Sequence, residues 1–506
     1  MTLLLLATAC SDAQGPEPGT CRSSAGLSSL ALGSATLEPP FDPAIRHYLV
    51  RARELGTRTA VTATTARGDD AFLRHETLDG EPLTRGWSGL EVPLSEAQRL
   101  VIQTCDDDAL GEQTTVVPVP DDWPDLTASQ TDDPGERYFF LGVTDFADRA
   151  CDHALAAMIV DPRGTPVWYR LGPRAVYDLR VTDAGELSYV AVSDETLTLQ
   201  GHVIDPVDHR SLRTLSALPS ELAQTPSLDS HELHVLADGG ALSLATTTHL
   251  EDLTVWGAGA ETLVVDALVQ ERDADDALVF QWSPRGHVDH SDLPLAHLNA
   301  IADGWDYAHL NSVDVDPADG HWVVSLRLPS QVMKIARTDT SWAGQDRAAG
   351  DVLWTLGGAT SDLAFVGDDR DHGWQGFAGQ HSARVLPDDQ LAVFDNASHL
   401  DLGATGDARL AVYALDHGSG TATLIHQFPL DGAGSVAVAG SVQRLDDGWT
   451  AVGWGPAADA TGTPLASVTL LDEDLQQVLD LTLPRDCWSY RAWSFQGDPV
   501  RGQWTP

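Results

Sequence analysis

Lysine is almost missing from this chain. Lys334 is the single copy, and lysine and arginine together make 30 basic side chains against 75 acidic ones, a formal net charge of −45 over 506 residues. A surface of that sign repels phosphate backbones, which argues against nucleic acid as a partner. The acidity reads as a solvated face, so an anionic substrate needs concentrated local positive charge to bind. Long apolar runs are missing as well: no stretch of eighteen apolar residues is present to cross a membrane as a helix. Cysteine is sparse, with five copies. No C-x-x-C or H-x-x-x-H spacing occurs, which argues against zinc. The phosphate-cradling G-x-x-x-x-G-K-[ST] loop is also absent, and with it the usual signal for a nucleotide donor. Amphipathic helical periodicity is scarce.

The first ten residues, Met1-TLLLLATAC, read as the end of an export signal. Leu6-Ala7-Thr8-Ala9-Cys10 resembles a bacterial lipoprotein cleavage box, with Cys10 as the lipidated residue. The expectation is an exported protein, periplasmic or anchored to the cell envelope as a lipoprotein, touching membrane through that lipid alone. Four cysteines remain: Cys21, Cys105, Cys151 and Cys487. An even number in an exported chain points to two disulfides with three connectivities open, free buried thiols being the alternative. The layout favours Cys21–Cys105 in an N-terminal domain and Cys151–Cys487 between the first and last parts of a closing ring.

What is abundant is the short strand. Residues 11–34 are rich in Ser, Gly and Ala and read as a flexible tether. Residues 35–120 hold strands such as His47-YLVRA, Arg58-TAVTATTA and Arg99-LVIQTC, spaced for a small β-sandwich. Leu37-EPPFDPAIRHYLV and these later strands resemble cadherin-like or Ig-like modules, and no chemistry is visible in them. Residues 121–137 form a Pro/Asp/Thr-rich linker. From 138 to 506 strands such as Thr165-PVWYRL, Trp322-VVSLRL and Leu410-AVYALD alternate with Asp-Gly turns.

Within that region one pattern recurs: a head residue, an apolar strand, a turn, a second apolar strand. Three heads are histidines, in His231-ELHVLADGGAL, His309-LNSVDVDPADGHWVV and His381-SARVLPDDQLAVF. The frame returns without histidine in Tyr177-DLRVTDAG and Gly440-SVQRLDDG, and successive heads stand about 54 to 78 residues apart. Such spacing suits propeller blades, and about 365 residues at roughly 60 per blade gives six, five or seven being the alternatives. The predicted fold is all-β: a six-bladed β-propeller preceded by a small β-sandwich domain. Equivalent strand ends in a propeller meet at one mouth of the channel, so the three imidazoles converge.

Strand alternation places Tyr307, His309 and Asn311 on one face. The turn near Pro317–Gly320 pairs His309 close to residue 328, so Arg327 stands within about one residue of it. Arginine offers a fixed fork of donors for an oxyanion. Its fixed charge disfavours the rival reading, three imidazoles holding a metal. Imidazole is also a nucleophile, and imidazolium with arginine stabilises developing oxyanion charge; these parts suit sulfuryl or phosphoryl transfer through a covalent histidine. Asp314, Asp316 and Asp319 read as a strand turn, since no glutamate follows at the twelfth position of a calcium loop.

Asp306-YAHLNSVDVDPADGHWVVSLRLPSQVMKI, then Gly350-DVLWTLGG, then Phe377-AGQHSARVLPDDQLAVFDN resemble the bacterial arylsulfotransferases, exported enzymes that use aryl sulfate esters and no nucleotide sulfate. The likeness is specific over about residues 228–400. It implies that His381 is the transiently sulfurylated residue, that His309 and Asn311 form the H-x-N segment, and that Arg327 closes the S-x-R strand. His231 opens the H-D-x-x-x-L-x-x-G segment, with Glu232 in place of the aspartate. The implied reaction is ping-pong, from a small aryl sulfate donor to a phenolic acceptor, with His381, His309, Arg327 and His231 catalytic. Asn311, Tyr307 and Tyr177 are the expected substrate contacts, with Trp374 and Phe377 either holding rings or packing blades; no metal or organic cofactor is implied. The alternatives are a non-catalytic surface propeller that binds an anionic or sulfated ligand, and a sulfate ester hydrolase.

Overall fold

A computed structural model describes residues 26–56, 58–106, 109–144, 151–172, 174–193, 195–207, 209–288, 304–399, 403–499 and 502–505. Strand accounts for 53% of it and the described residues contain no α-helix, so the chain is all-β. Cys10 and Cys21, and the side chain of Cys105, lie outside what is described, and with them the Cys21–Cys105 pairing and the lipidation site. Among the described residues no helix is long and apolar enough to cross a membrane.

The chain divides into two compact units, the first running to Trp123 with short returns at Thr165–Tyr169 and Val207–His209. This unit holds a three-stranded sheet (Leu27–Leu32, Thr59–Thr65, Leu90–Val92) and a five-stranded one (His47–Arg51, Ala109–Val119, Gln98–Asp106, Phe72–Thr77, Pro82–Trp87). One core serves both, with Leu30, Leu32, Val61, Leu73, Leu100 and Ile102 buried in it. Leu27–Leu32 is therefore strand where a tether was expected over 11–34, and residues 11–25 lie outside the described ones. Leu27, Leu30 and Leu32 each have an apolar side chain to bury, and the segment pairs antiparallel with Thr59–Thr65.

Among the described residues the second unit contains six sheets of four or five strands, met in turn along the chain and antiparallel except where Trp305–Asp306 and Ala364–Val366 add a parallel strand to the second and fourth. The first four begin at Val176–Val181, Ser227–Val235, Leu310–Val315 and His381–Leu386. The fifth begins at Ser441–Arg444 and takes its last strand, Thr127–Gln130, from the segment expected to be a linker. That strand is exposed along its length, so nothing apolar betrays it; backbone pairing to Gln477–Thr482 holds it. The sixth sheet pairs Trp488–Asp498 with Arg137–Thr144, so the two ends of the unit meet in one sheet. A disulfide joins Cys151 to Cys487 across a sequence separation of 336 residues, with 4.7 Å between the Cα atoms.

The eight-residue interval from head to turn has a conformational cause. Gly185, Gly239 and Gly448 sit at φ of 80°, 85° and 86°, and Asp389 fills the equivalent place at 53°. A left-handed position favours glycine, and aspartate tolerates it better than most. Just past the head, a second repeated contact sews neighbouring sheets together. Asp178 Oδ2 accepts the Leu233 N–H at 3.2 Å, and Ser312 Oγ accepts that of Ala383 at 3.0 Å. Ser382 and Ser441 do the same for Val442 and Ala492, at 3.2 and 3.0 Å. These bonds bring the leading strands of successive sheets side by side.

Candidate active site

The leading strands of the first four sheets are irregular where they meet their neighbours. Pairing slips between Tyr177 and Arg180, Leu228 and Leu233, Leu310 and Ser312, and His381 and Arg384. Asp178, His309 and Ser382 carry the left-handed turns involved, with φ of 51°, 51° and 52°. A bulge bends the strand and re-aims its side chains.

The result is a cluster of three imidazoles. The His231 ring lies 4.9 Å from that of His309 and 6.4 Å from that of His381. His231 and His309 keep 16% and 28% of their side-chain surface, whereas His381 keeps 1%, so the third imidazole lies deeper than the other two. Arg327 stands across from His309, its backbone N–H donating to the His309 carbonyl at 3.1 Å. The Arg327 guanidinium donates to Ala437 O at 3.0 Å, two residues from Ala439, whose N–H donates to His381 Nε2 at 3.3 Å.

The partners at Nδ1 separate the three rings chemically. His381 Nδ1 lies 2.8 Å from Asn396 Oδ1 and 3.2 Å from Gly379 O, both acceptors. The Asn396 amide cannot turn round, because its Nδ2 donates to Val436 O and Ala439 O at 3.1 and 2.9 Å. Nδ1 of His381 is therefore the protonated nitrogen and Nε2 carries the lone pair. Burial, then the charges of Arg327 and His231, push the His381 pKa well below the ordinary 6.5, with Asn396 opposing. His231 and His309 instead turn Nδ1 to carboxylates: Asp229, and Asp306 at 2.6 Å. Burial acts to raise both carboxyls, but the histidine facing each outweighs it and holds the pair below the usual range. A carboxylate on Nδ1 stabilises the imidazolium that forms when Nε2 takes a proton.

Next to the rings lies a buried ionic cluster. Glu232, fully buried beside His231, receives Arg180 at 3.0 Å, Arg384 at 2.8 Å and Arg491 at 2.9 Å from three other sheets. Burial would raise its carboxyl, but Arg384, Arg491 and Arg180 together hold it far below the usual range. Arg491 also donates to Asp178 and, at 2.8 Å, to Asn311 O. Among the described residues no group of three or more His, Cys, Asp or Glu is arranged to hold a metal ion.

Four sequence-predicted residues, His231, His309, Arg327 and His381, come together here. Tyr177 is half-buried at the edge, 6.0 Å ring to ring from Tyr490. Asn311 is fully buried and its amide donates to Gln380 O at 2.7 Å, which fixes the chain one residue before His381. Tyr307 does not join them. It lies in the core beside Trp305, 1% exposed, its hydroxyl donating to Asp266. The left-handed His309 breaks the alternation that would have put Tyr307 on the histidine face. Phe377 is likewise core, packed against Phe365 and Tyr413, and the Trp374 indole N–H is spent on Phe377 O at 3.1 Å. Asp316 and Asp319 belong to Lys334, which they hold at 2.6 and 2.7 Å. Sequence reasoning missed Asn396, Asp229, Asp306 and Tyr490. The D-x-H and D-x-x-H spacings signalled the two aspartates; nothing local signalled Asn396, fifteen residues past His381.

Comparison with known proteins bears on this geometry in one way. A search of curated proteins finds no significant match. Among solved structures, a hypothetical selenium-binding protein from Sulfolobus tokodaii aligns at TM-score 0.37 and 10% identity, over 86% of this chain and 94% of its own. A protein from Lactobacillus plantarum aligns at 0.30 and 10%, over 84% and 99%. Likenesses of that degree assign no fold. The family model for arylsulfotransferase (ASST), however, matches residues 211–463, half of the chain and the part that carries all three histidines and Arg327. The protein belongs to the arylsulfotransferase family.

Proposed function

We propose that this protein is an exported enzyme that moves a sulfuryl group from an aryl sulfate ester to a phenol, by a ping-pong route through a sulfurylated His381. In this reading the six sheets are the blades of a propeller with the site in its central channel, and the N-terminal unit is a β-sandwich. The observation that carries the reading is the unequal treatment of three neighbouring imidazoles: one held neutral with its Nε2 lone pair met only by the long Ala439 N–H contact, two backed by carboxylates.

His381 Nε2 attacks sulfur, the N–S bond forms, and the S–O bond to the aryl group breaks. The leaving oxygen takes a proton from Nε2 of His231 or His309. Arg327 and the remaining imidazole stabilise charge on the sulfuryl oxygens. The Ala439 N–H, released from the lone pair once nitrogen has bonded, is placed to donate to one of them. A phenol then enters, gives its proton to the imidazole that lost one, and attacks sulfur as the N–S bond breaks. Oxidation states do not change.

The test is acceptor dependence. With p-nitrophenyl sulfate as donor, a second phenol should raise p-nitrophenol release and appear as its own sulfate ester. Release matched by free sulfate alone would make the protein a hydrolase; no release and no adduct would leave a binding propeller.

A further inference from the structure

Tyr490 stands in the leading strand of the sixth sheet, its ring edge-on to His231 at 5.2 Å and 6.4 Å from His381. Tyr177 meets it edge-on from one side and the Arg491 guanidinium lies 5.6 Å from its centre. It is 5% exposed, and its hydroxyl oxygen is buried with no hydrogen-bond partner among the described residues. Other buried tyrosines are satisfied. Tyr48 donates to Asp42 O, Tyr307 to Asp266 and Tyr413 to Asp368. A buried hydroxyl left unpaired is unfavourable, and such a group in a site calls for a ligand that completes it.

Resting on the arylsulfotransferase reading of this site, we propose that Tyr490 is a further catalytic residue, whose hydroxyl donates a hydrogen bond to a sulfuryl oxygen of the donor and of the His381 adduct. The chemistry fits the position. A sulfuryl group in transfer presents three oxygens, each able to accept more than one hydrogen bond, so Arg327, one imidazole and the Ala439 N–H leave acceptor capacity for a further donor. Burial pushes the phenol of Tyr490 well above its ordinary range; Arg491 opposes this, while Asp229, Glu232 and Asp178 add to it. The group therefore keeps its proton and serves as a donor, leaving proton transfer to the histidines. No group among the described residues holds the hydroxyl, so no hydrogen bond to one of them must be broken before it engages the ligand, which is the preorganisation that favours a transition state.

Tyr490→Phe removes the hydroxyl and keeps the ring. The variant should melt no lower than the wild type, since it loses no hydrogen bond. Its rate of sulfuryl loading from p-nitrophenyl sulfate should fall about 100-fold, with kcat taking most of the loss. A wild-type loading rate would overturn the proposal. So would a clear loss of stability, because the hydroxyl would then have had a partner in the free enzyme. Titration calorimetry with inorganic sulfate supplies an arm that does not depend on turnover. The variant should bind sulfate about tenfold more weakly, and equal affinity would overturn the proposal. If the wild type itself fails to load or turn over, the arylsulfotransferase reading falls, while the sulfate arm still decides whether Tyr490 contacts the anion.

Discussion

At the scale of single residues, the site assigns different chemical jobs to one kind of side chain by changing what sits at Nδ1. An amide oxygen fixes the Nδ1 proton of His381, and carboxylates face Nδ1 of His231 and His309; in the proposed reaction the first is the nucleophile and the other two carry the proton. Neutral burial has a thermodynamic consequence. Folded His381 has a pKa below 6.5, so the unfolded chain binds a proton there that the folded one refuses. Its share of stability is present above the unfolded value and is lost as pH falls from about 6.5 toward the folded one. Urea midpoints of the wild type, less those of His381→Asn, should therefore shrink steadily from about pH 7 to pH 5 and stay level above. A difference that ignores pH would mean that His381 is not held neutral.

At the scale of elements, the bulges near the heads of the three histidine strands aim the histidines, and the ionic cluster beside them ties those strands together. Glu232 ties its own strand to those of Tyr177, His381 and Tyr490 through Arg180, Arg384 and Arg491. Glu232→Gln takes the shared carboxylate from buried Arg491 and from the partly buried Arg180 and Arg384, leaving Asp178 to Arg491, and should cost about 3–5 kcal/mol in denaturant unfolding. A loss below about 1 kcal/mol, the worth of an exposed ion pair, would show that the cluster is solvated. The contrast in what could be read beforehand lies at this scale too. The head-to-turn interval was legible because a left-handed backbone at Gly185, Gly239 and Gly448 restricts the residue type. The bulges were not, since His309 and Ser382 adopt positive φ without being glycine, and Tyr307 was misplaced as a result. Asn396 was illegible because only the return of the next strand brings it to His381. Thr127–Gln130 joined a sheet with no apolar face to mark it.

At the scale of the whole molecule, residues from both ends of the second unit share its sixth sheet, and Cys151–Cys487 crosses the same closure. A cross-link over 336 residues removes a large share of unfolded-state freedom. Replacing both cysteines by serine should lower stability by about 3–5 kcal/mol, seen as a lower thermal midpoint and a smaller response to reductant than the wild type shows. An unchanged midpoint would mean that strand pairing alone closes the unit. The pronounced acidity of the chain also frames the proposed chemistry: against −45 overall, Arg180, Arg327, Arg384 and Arg491 gather around the three histidines and offset the carboxylates beside them, which suits the anionic donor proposed for the site.

Everything in the proposed chemistry turns on the covalent step at His381, and mass spectrometry of the protein quenched during reaction with p-nitrophenyl sulfate reads that step itself. The expected result is a transient gain of about 80 Da, one sulfuryl group, mapping to His381 and discharged by an added phenol. Turnover with no adduct on His381, or with the adduct on another residue, would contradict it.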